Sequence, residues 1–433
     1  MQNDGRWELV PYTRGFGVEI SDGEERLFPH FQKLGVNFIS RGAGDLNIIG
    51  TDSLNFVAVK REAAPTEKEL AEWRRVLTHD GYLCQWKDGR WEYSRKDGSV
   101  LAARVRPEKS CLVVRYGAYG DALQASSILP GLKAQGYHVT FNCNERSEAV
   151  IRHDPNIDAW IVQDTNQVPA GALTAYWSWL ATQYDKVVNL SETVEGTWLA
   201  IDTRPNYWWS HDVRHKYLNG NYLQFQHEVA GVPYQKPMIR FYSTRDEETE
   251  ALALKYKLGG KPVILWTLAG SSIHKVWPHM DAVLARVFTT WKNARVVFCG
   301  DESCQLLEEP WRNEPRVVRK SGKWGIRQSL AFAEVADVVI GPETGVLSSV
   351  AMRDMAKIVL LSHSSHENLT RDWINTTAIH SVKTPCWPCH RLHVTPEDCP
   401  RGDATGTAKC QEDIPADAVW EALVRFQKLA EAA

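Results

Sequence analysis

Four short stretches of this chain carry the residue types that phosphate and sugar chemistry needs: Gly117 to Asp121, Gly270 to Pro278, Gly300 to Glu302 and Gly341 to Gly345. Each follows an apolar, strand-like run, and the loops after the strands of an open α/β sheet are where ligands bind. In GPETG the Thr344 hydroxyl and the N–H groups of Thr344, Gly345 and Val346 stand at the start of a helix, an arrangement suited to a phosphate. Lys275, in SSIHKVWP, offers a cation to a pyrophosphate; its bland reading is a solvated surface lysine. Asp121 sits at the rim of the same kind of crevice, and an Asp after glycine also serves as a helix N-cap. A second constellation is Cys386-Trp-Pro-Cys389, followed by Cys399 and Cys410 with His390 and His393 interleaved. The C-x-x-C knuckle is zinc-like but a second knuckle is missing, so a structural zinc, disulfides and free thiols all stay open.

The elements that must position these residues are legible as a rhythm. Cys111 to Val114 reads as a short buried strand, Gly117 and Gly120 permit a tight turn, and Ala122 to Lys133 has the composition of a helix ending at Gly136. Strands are expected at His138 to Asn142, Ala159 to Asp164 and Tyr184 to Leu190, and a helix over Asn221 to Tyr234. The β-α-β alternation resumes with strands at Pro262 to Trp266, Ala294 to Asp301, DVVIGP and Ala356 to Ser362 and helices at Ala282 to Phe288, Ser329 to Ala336 and Val346 to Met352. A final helix, Ala416 to Ala433, is expected against the middle domain. Tyr176, Trp177, Trp179, Trp198, Tyr207, Trp208 and Trp209 form an aromatic-rich stretch that suits either core packing or the stacking of sugars or bases. His363 or His366, after the strand ending at Ser362, could touch a nucleotide sugar or merely bond locally.

Composition limits the rest. The chain has 433 residues, enough for two or three domains, and a formal charge of -3, which argues against a global basic field for nucleic acid or anionic membranes. Its start lacks a signal-peptide core and no run of about 18 apolar residues spans a bilayer, so a soluble, cytoplasmic chain is expected. Nine cysteines, five of them scattered, suit reduced thiols.

Two resemblances organise these observations. GFGVEISDGEERLFPHF, DSLNFVAV and ELAEWRRVLTHDGYLCQW resemble the core of class I S-adenosylmethionine-dependent methyltransferases. Ser21 stands where that family has a glycine and the sheet is left incomplete, so residues 1–105 read as a truncated, degenerate methyltransferase-like domain with S-adenosylmethionine binding not expected. From Arg106 onward, RYGAYGDALQASSILPGLK, GSSIHKVWP and ADVVIGPETGVLSSVAM resemble glycosyltransferase family 9, the family of the ADP-heptose:lipopolysaccharide heptosyltransferases.

That second resemblance implies an α/β fold of the GT-B type, two facing Rossmann-like domains at 106–245 for the acceptor and 246–433 for the donor. It implies an inverting transfer from a nucleotide-diphosphate sugar, an ADP-sugar by preference, to a hydroxyl of a surface glycan. Asp121 matches the general base, Lys275 the pyrophosphate lysine, Ser271 and Ser272 the phosphate-binding turn, Glu302 a carboxylate for ribose hydroxyls, and Glu343, Thr344 and Gly345 the diphosphate loop. The family's D-T-G-x-x-H is here E-T-G-V-L-S, with Glu343 for Asp and Ser348 for His, which leaves the donor sugar unspecified. Two alternatives accompany this reading. One is a transferase acting on modified nucleic-acid bases, served by Arg204 to Lys216 and Arg312 to Arg327; the other is a non-catalytic scaffold.

Overall fold

The structure, a computed structural model, describes residues 109–163, 183–191, 205–234, 238–270, 273–392 and 399–432, Trp177, Leu180, Ala181, strand residues 200–201 and short strands before residue 96. In the N-terminal region Trp7–Pro11 pairs antiparallel with Phe56–Lys60, Phe38–Ser40 with Leu46–Ile48, and Tyr82–Lys87 with both Thr78–His79 and Arg90–Arg95. The methyltransferase-like reading of residues 1–105 otherwise lies outside the described residues.

The chain forms two compact units. The first holds a four-stranded sheet of β1 (Ser110–Val114), β2 (His138–Asn144), β3 (Ala159–Gln163) and β4 (Lys186–Asn189), ordered β3-β2-β1-β4. β1, β2 and β3 run parallel, and all five residues of β1 are buried, as an unbroken SCLVV run requires of a central parallel strand. Asp185 accepts from both the Ser110 N–H and its hydroxyl at 2.8 Å, fastening the start of β1.

The second unit comprises residues 115–132, 146–156 and 189–433. Its helices include α1 (Tyr119–Ser126), α2 (His211–Leu218), α3 (Tyr222–Ala230) and α4 (Arg245–Leu258). Local chemistry sets their ends. Asn221 caps α3 by accepting the Gln224 N–H, and Gly231 at φ 60° closes it. Thr244 and Glu247 form a reciprocal box at the start of α4, and Gly259 at φ 58° ends it. α2 and α4 are absent from the sequence reading. Each buries few residues, so neither shows the apolar stripe that periodicity detects, although T-x-x-E at Thr244 was a readable cap.

A six-stranded parallel sheet follows: β5 (Val263–Thr267), β6 (Arg295–Cys299), β7 (Val317–Arg319), β8 (Val338–Pro342), β9 (Ala356–Leu360) and β10 (Thr376–Ile379). Helices α5 (Met280–Thr290), α6 (Ile326–Val335), α7 (Gly345–Ser349) and α8 (Ala416–Ala432) alternate with or follow these strands. The order β7-β6-β5-β8-β9-β10 is the doubly wound arrangement, in which connections leave β5 and β8 in opposite directions and open a crevice at their carboxyl ends. Every residue of β5, β8 and β9 is buried. The last helix is not placed as expected from sequence. Val419, Ala422, Leu423 and Phe426, one stripe of α8, join the core of this sheet and α5 instead.

Gly341, at φ 153°, lets β8 turn where its neighbour β5 ends; a methyl group there would strike the Thr267 carbonyl and side chain. Gly341→Ala is expected to cost roughly 2–4 kcal/mol, read as a lower urea midpoint; an unchanged midpoint would show that β8 tolerates a side chain at this bend. Arg327 on α6 makes a two-pronged pair with Glu247 at 2.6 and 2.7 Å and donates to the carbonyls of Ala149 and Tyr242. It ties segment 146–156 to the rest of the unit.

Candidate active site

The site grows from the loop ends at the switch point between β5 and β8. Lys275 follows β5 and is 8% exposed, and its ammonium donates to the backbone carbonyl of Glu343 at 2.9 Å. It is therefore no solvated surface lysine. Gly270 makes room for it, since a methyl group there would come within 2.6 Å of Lys275 Cδ. Ser271 and Ser272 lie outside the described residues.

Glu343 follows β8 and is buried. One carboxylate oxygen accepts the N–H of Ser362 at 2.6 Å and of Ser364 at 3.3 Å; the other accepts the Ser364 hydroxyl and lies 3.2 Å from His363 Nδ1. Burial alone would push this carboxyl up, but His363, Lys275 and the two amides together hold it below its ordinary value. Glu343 thus clamps the loop after β9 to the loop after β8. Thr344 caps α7, its hydroxyl accepting the Leu347 N–H at 3.5 Å, and Gly345 begins that helix.

The loop from Arg115 to Asp121 meets this edge through backbone. A methyl group at Gly345 would lie 2.7 Å from Tyr119 Cβ and 3.1 Å from the Gly120 nitrogen, so the two loops touch where neither glycine has a side chain. Asp121 is the third residue of α1. Its Oδ2 accepts the Ala118 N–H at 2.8 Å, and Oδ1 lies 3.1 Å from the guanidinium of Arg115, which is fully buried. Gly117, at φ 147°, gives Oδ2 its space. Asp121 therefore accepts the Ala118 N–H at the start of α1 while keeping a 29% exposed carboxylate. Arg115 escaped the sequence reading although it stands in the same motif, because nothing in the pattern says that its side chain turns inward. Glu302, after β6, is exposed.

A cavity of about 160 Å³ is lined by Lys275 together with His274, Ser362, His363, Cys386, Cys389, Cys399 and Cys410. Burial pushes the thiols up: Cys389 to about 11, Cys399 to about 12, with Cys386 and Cys410 raised as well. All four are free thiols, and among the described residues no three His, Cys, Asp or Glu side chains are gathered as a metal-binding group. Arg214 on α2 walls the cavity and donates to the Cys389 carbonyl at 2.9 Å. His366 bonds Thr370 at 2.8 Å and is not among the cavity residues; His393 lies outside the described residues.

Burial draws His363 down from 6.5 to about 4, the Glu343 carboxylate opposing and Lys275 adding to the shift. Between those two values the unfolded chain binds the proton and the folded chain does not, so stability is lost as pH falls from about 6.5 toward 4. The urea midpoint is expected to drop over that window, less steeply in His363→Gln; equal slopes would show that other groups carry the acid sensitivity.

The aromatic stretch divides. Trp177 and Tyr207 are core residues, whereas Trp208 and Trp209 are 67% and 40% exposed; Tyr176, Trp179 and Trp198 lie outside the described residues. The basic run from Arg312 to Arg327 is largely neutralised, with Arg312 and Arg319 on Glu309, Arg316 on Glu314 and Arg327 on Glu247.

No protein-family model matches the chain, and no curated protein matches it in sequence. Solved structures do. A glycosyltransferase family 9 protein from Veillonella parvula is 15% identical with a TM-score of 0.53, over 73% of this chain and 97% of that one. The ADP-heptose lipopolysaccharide heptosyltransferase II of E. coli is 14% identical with a TM-score of 0.53, over 75% of this chain and all of that one. At such identities the likeness establishes the fold. The chain has the α/β, GT-B-type fold of family 9 glycosyltransferase structures, with which its two parallel-strand sheets accord.

Proposed function

From a chain with the fold of the family 9 glycosyltransferases, we propose an inverting transfer of a sugar from a nucleotide-diphosphate sugar, an ADP-sugar by preference, to a hydroxyl of a glycan acceptor. The observation that carries this reading is the convergence, at the crevice of a doubly wound sheet, of Lys275, the Glu343–Gly345 loop and the loop bearing Asp121. In the reaction the acceptor oxygen attacks the anomeric carbon from the face opposite the diphosphate. The bond from that carbon to the phosphate oxygen breaks, the nucleoside diphosphate leaves with the electron pair, and Asp121 takes the hydroxyl proton. Lys275 exchanges its carbonyl partner for the pyrophosphate and stabilises the charge that grows on it. Ser271, Ser272, Thr344 and Gly345 complete the phosphate loop, and Glu302 receives the ribose hydroxyls. Domains at 106–245 and 246–433 would supply acceptor and donor sites.

A thermal-shift panel of ADP-, UDP-, GDP- and CMP-sugars with S-adenosylmethionine tests this, because a ligand of the folded state raises the melting temperature. One nucleotide sugar is expected to shift it. A shift with S-adenosylmethionine alone, or with nothing, would refute the donor site.

We propose that the four cysteines hold a structural zinc: they are soft thiol donors lining one cavity, not gathered as they stand, so a bound cation would have to deprotonate them and draw them together. About one zinc per chain is expected in protein purified without chelator, with a melting temperature lowered in Cys386→Ser. Metal-free protein of unchanged stability would leave the thiols as mere packing.

A further inference from the structure

We infer that Trp208 and Trp209 form a platform on which a sugar ring of the acceptor glycan stacks. The inference rests on the transferase reading above and adds to it the surface that holds the acceptor.

The main chain holds both indoles in water. Trp208 is 67% and Trp209 40% exposed, although side chains of this size are mostly buried, while Tyr207 before them is 1% exposed. The buried guanidinium of Arg214 donates to the carbonyls of Tyr207 and Trp209. Arg391 donates to the Tyr207 carbonyl at 2.9 Å, and its guanidinium lies 4.5 Å from the Tyr207 ring centre. With its carbonyls bonded inward and Tyr207 as anchor, this turn directs the next two side chains outward. Their planes are held too. Trp208 meets Tyr207 at 72° with ring centres 5.1 Å apart, and Trp209 meets Tyr217 of α2 at 66° and 6.1 Å.

The surroundings select the occupant. A stacked base would bring phosphates and need cations. Yet Arg214 is turned inward onto backbone, and Lys216, 5.1 Å from the Tyr217 ring centre, stands one helical turn from the fully exposed Asp212. A stable protein interface takes about 20–30 residues from each side; the exposed apolar side chains gathered here are Trp208, Trp209, Val213 and Tyr217. A sugar ring needs only an aromatic face for its C–H side and polar groups at the rim for its hydroxyls, and Ser210, Asp212 and Lys216 are exposed there. Arg214 also lines the cavity that Lys275 lines, whereas neither tryptophan does. The platform therefore lies outside that cavity, one arginine side chain away.

The test measures binding by calorimetry to the full chain in wild type, Trp208→Ala and Trp208→Phe. The probes are a deacylated lipopolysaccharide core oligosaccharide, a short single-stranded DNA and phosphatidylglycerol vesicles, with the nucleotide sugar that raises the melting temperature as reference. Wild type is expected to bind the oligosaccharide, Trp208→Ala to bind it about tenfold more weakly, and Trp208→Phe, which keeps a flat ring, to recover most of the loss. Nucleotide-sugar affinity and melting temperature are expected to stay unchanged in both variants, because the ring is exposed. Equal oligosaccharide affinity in wild type and Trp208→Ala, Trp208-dependent binding of the DNA or the vesicles instead, or a wild type that binds the nucleotide sugar but no oligosaccharide would overturn the platform and leave the transferase reading standing. Oligosaccharide binding through Trp208 without nucleotide-sugar binding would refute the transferase and keep the platform; binding of neither overturns both.

Discussion

Asp121→Asn is expected to lower kcat by about 10²–10⁴ while leaving donor affinity within about twofold. The asparagine oxygen still caps α1 from Ala118, but it cannot take a proton from the attacking hydroxyl. The same substitution leaves the buried Arg115 guanidinium without its carboxylate, at a cost of about 3 kcal/mol in stability. Two readouts therefore separate two roles. Loss of kcat together with stability identifies a base that is also a structural anion; loss of stability with kcat intact reduces Asp121 to a cap and counterion. Activity must be compared at a temperature where both proteins are folded, since a destabilised variant loses turnover trivially.

Lys275→Ala is expected to weaken binding of the nucleotide sugar and of the free nucleoside diphosphate alike, by roughly 10- to 150-fold, the worth of a hydrogen bond to a charged group. In the absence of donor the ammonium bonds only a backbone carbonyl among the described residues, so its removal should cost little stability. A nucleoside monophosphate that lacks the second phosphate should lose less. If calorimetry shows equal affinity in wild type and variant, the pyrophosphate does not lie at the switch point between β5 and β8.

Both expectations begin in motifs that were legible in the sequence: glycine turns after apolar runs, Lys275 in SSIHKVWP, and the β-α-β rhythm. Buried runs such as VILWT and VVIGP announce parallel strands because both faces of such strands are covered. What stayed hidden is direction. Arg115 reads as a polar residue at a strand end, and only the fold shows that it points inward to Asp121. The Glu343 and His363 pair was hidden for another reason. The two residues lie on loops after adjacent parallel strands, and no local spacing rule joins loops separated by a whole β-α-β unit. The placement of α8 failed similarly, since an apolar stripe says that a helix is covered but not by what.

The glycine pair at the meeting of the two loops has a consequence for how this site can change. Gly120 and Gly345 bring main chain against main chain, and a side chain at Gly345 would push the loops apart, since its Cβ would lie 2.7 Å from Tyr119 Cβ and 3.1 Å from the Gly120 nitrogen. In the proposed transfer, the separation of proton acceptor and leaving group would thus be set by the close approach of two backbones, a ruler that a side chain at Gly345 would break rather than adjust. Changes of sugar or acceptor must then come from residues around the ruler, such as Glu343 and Ser348 in the E-T-G-V-L-S turn, while the reacting distance stays constant.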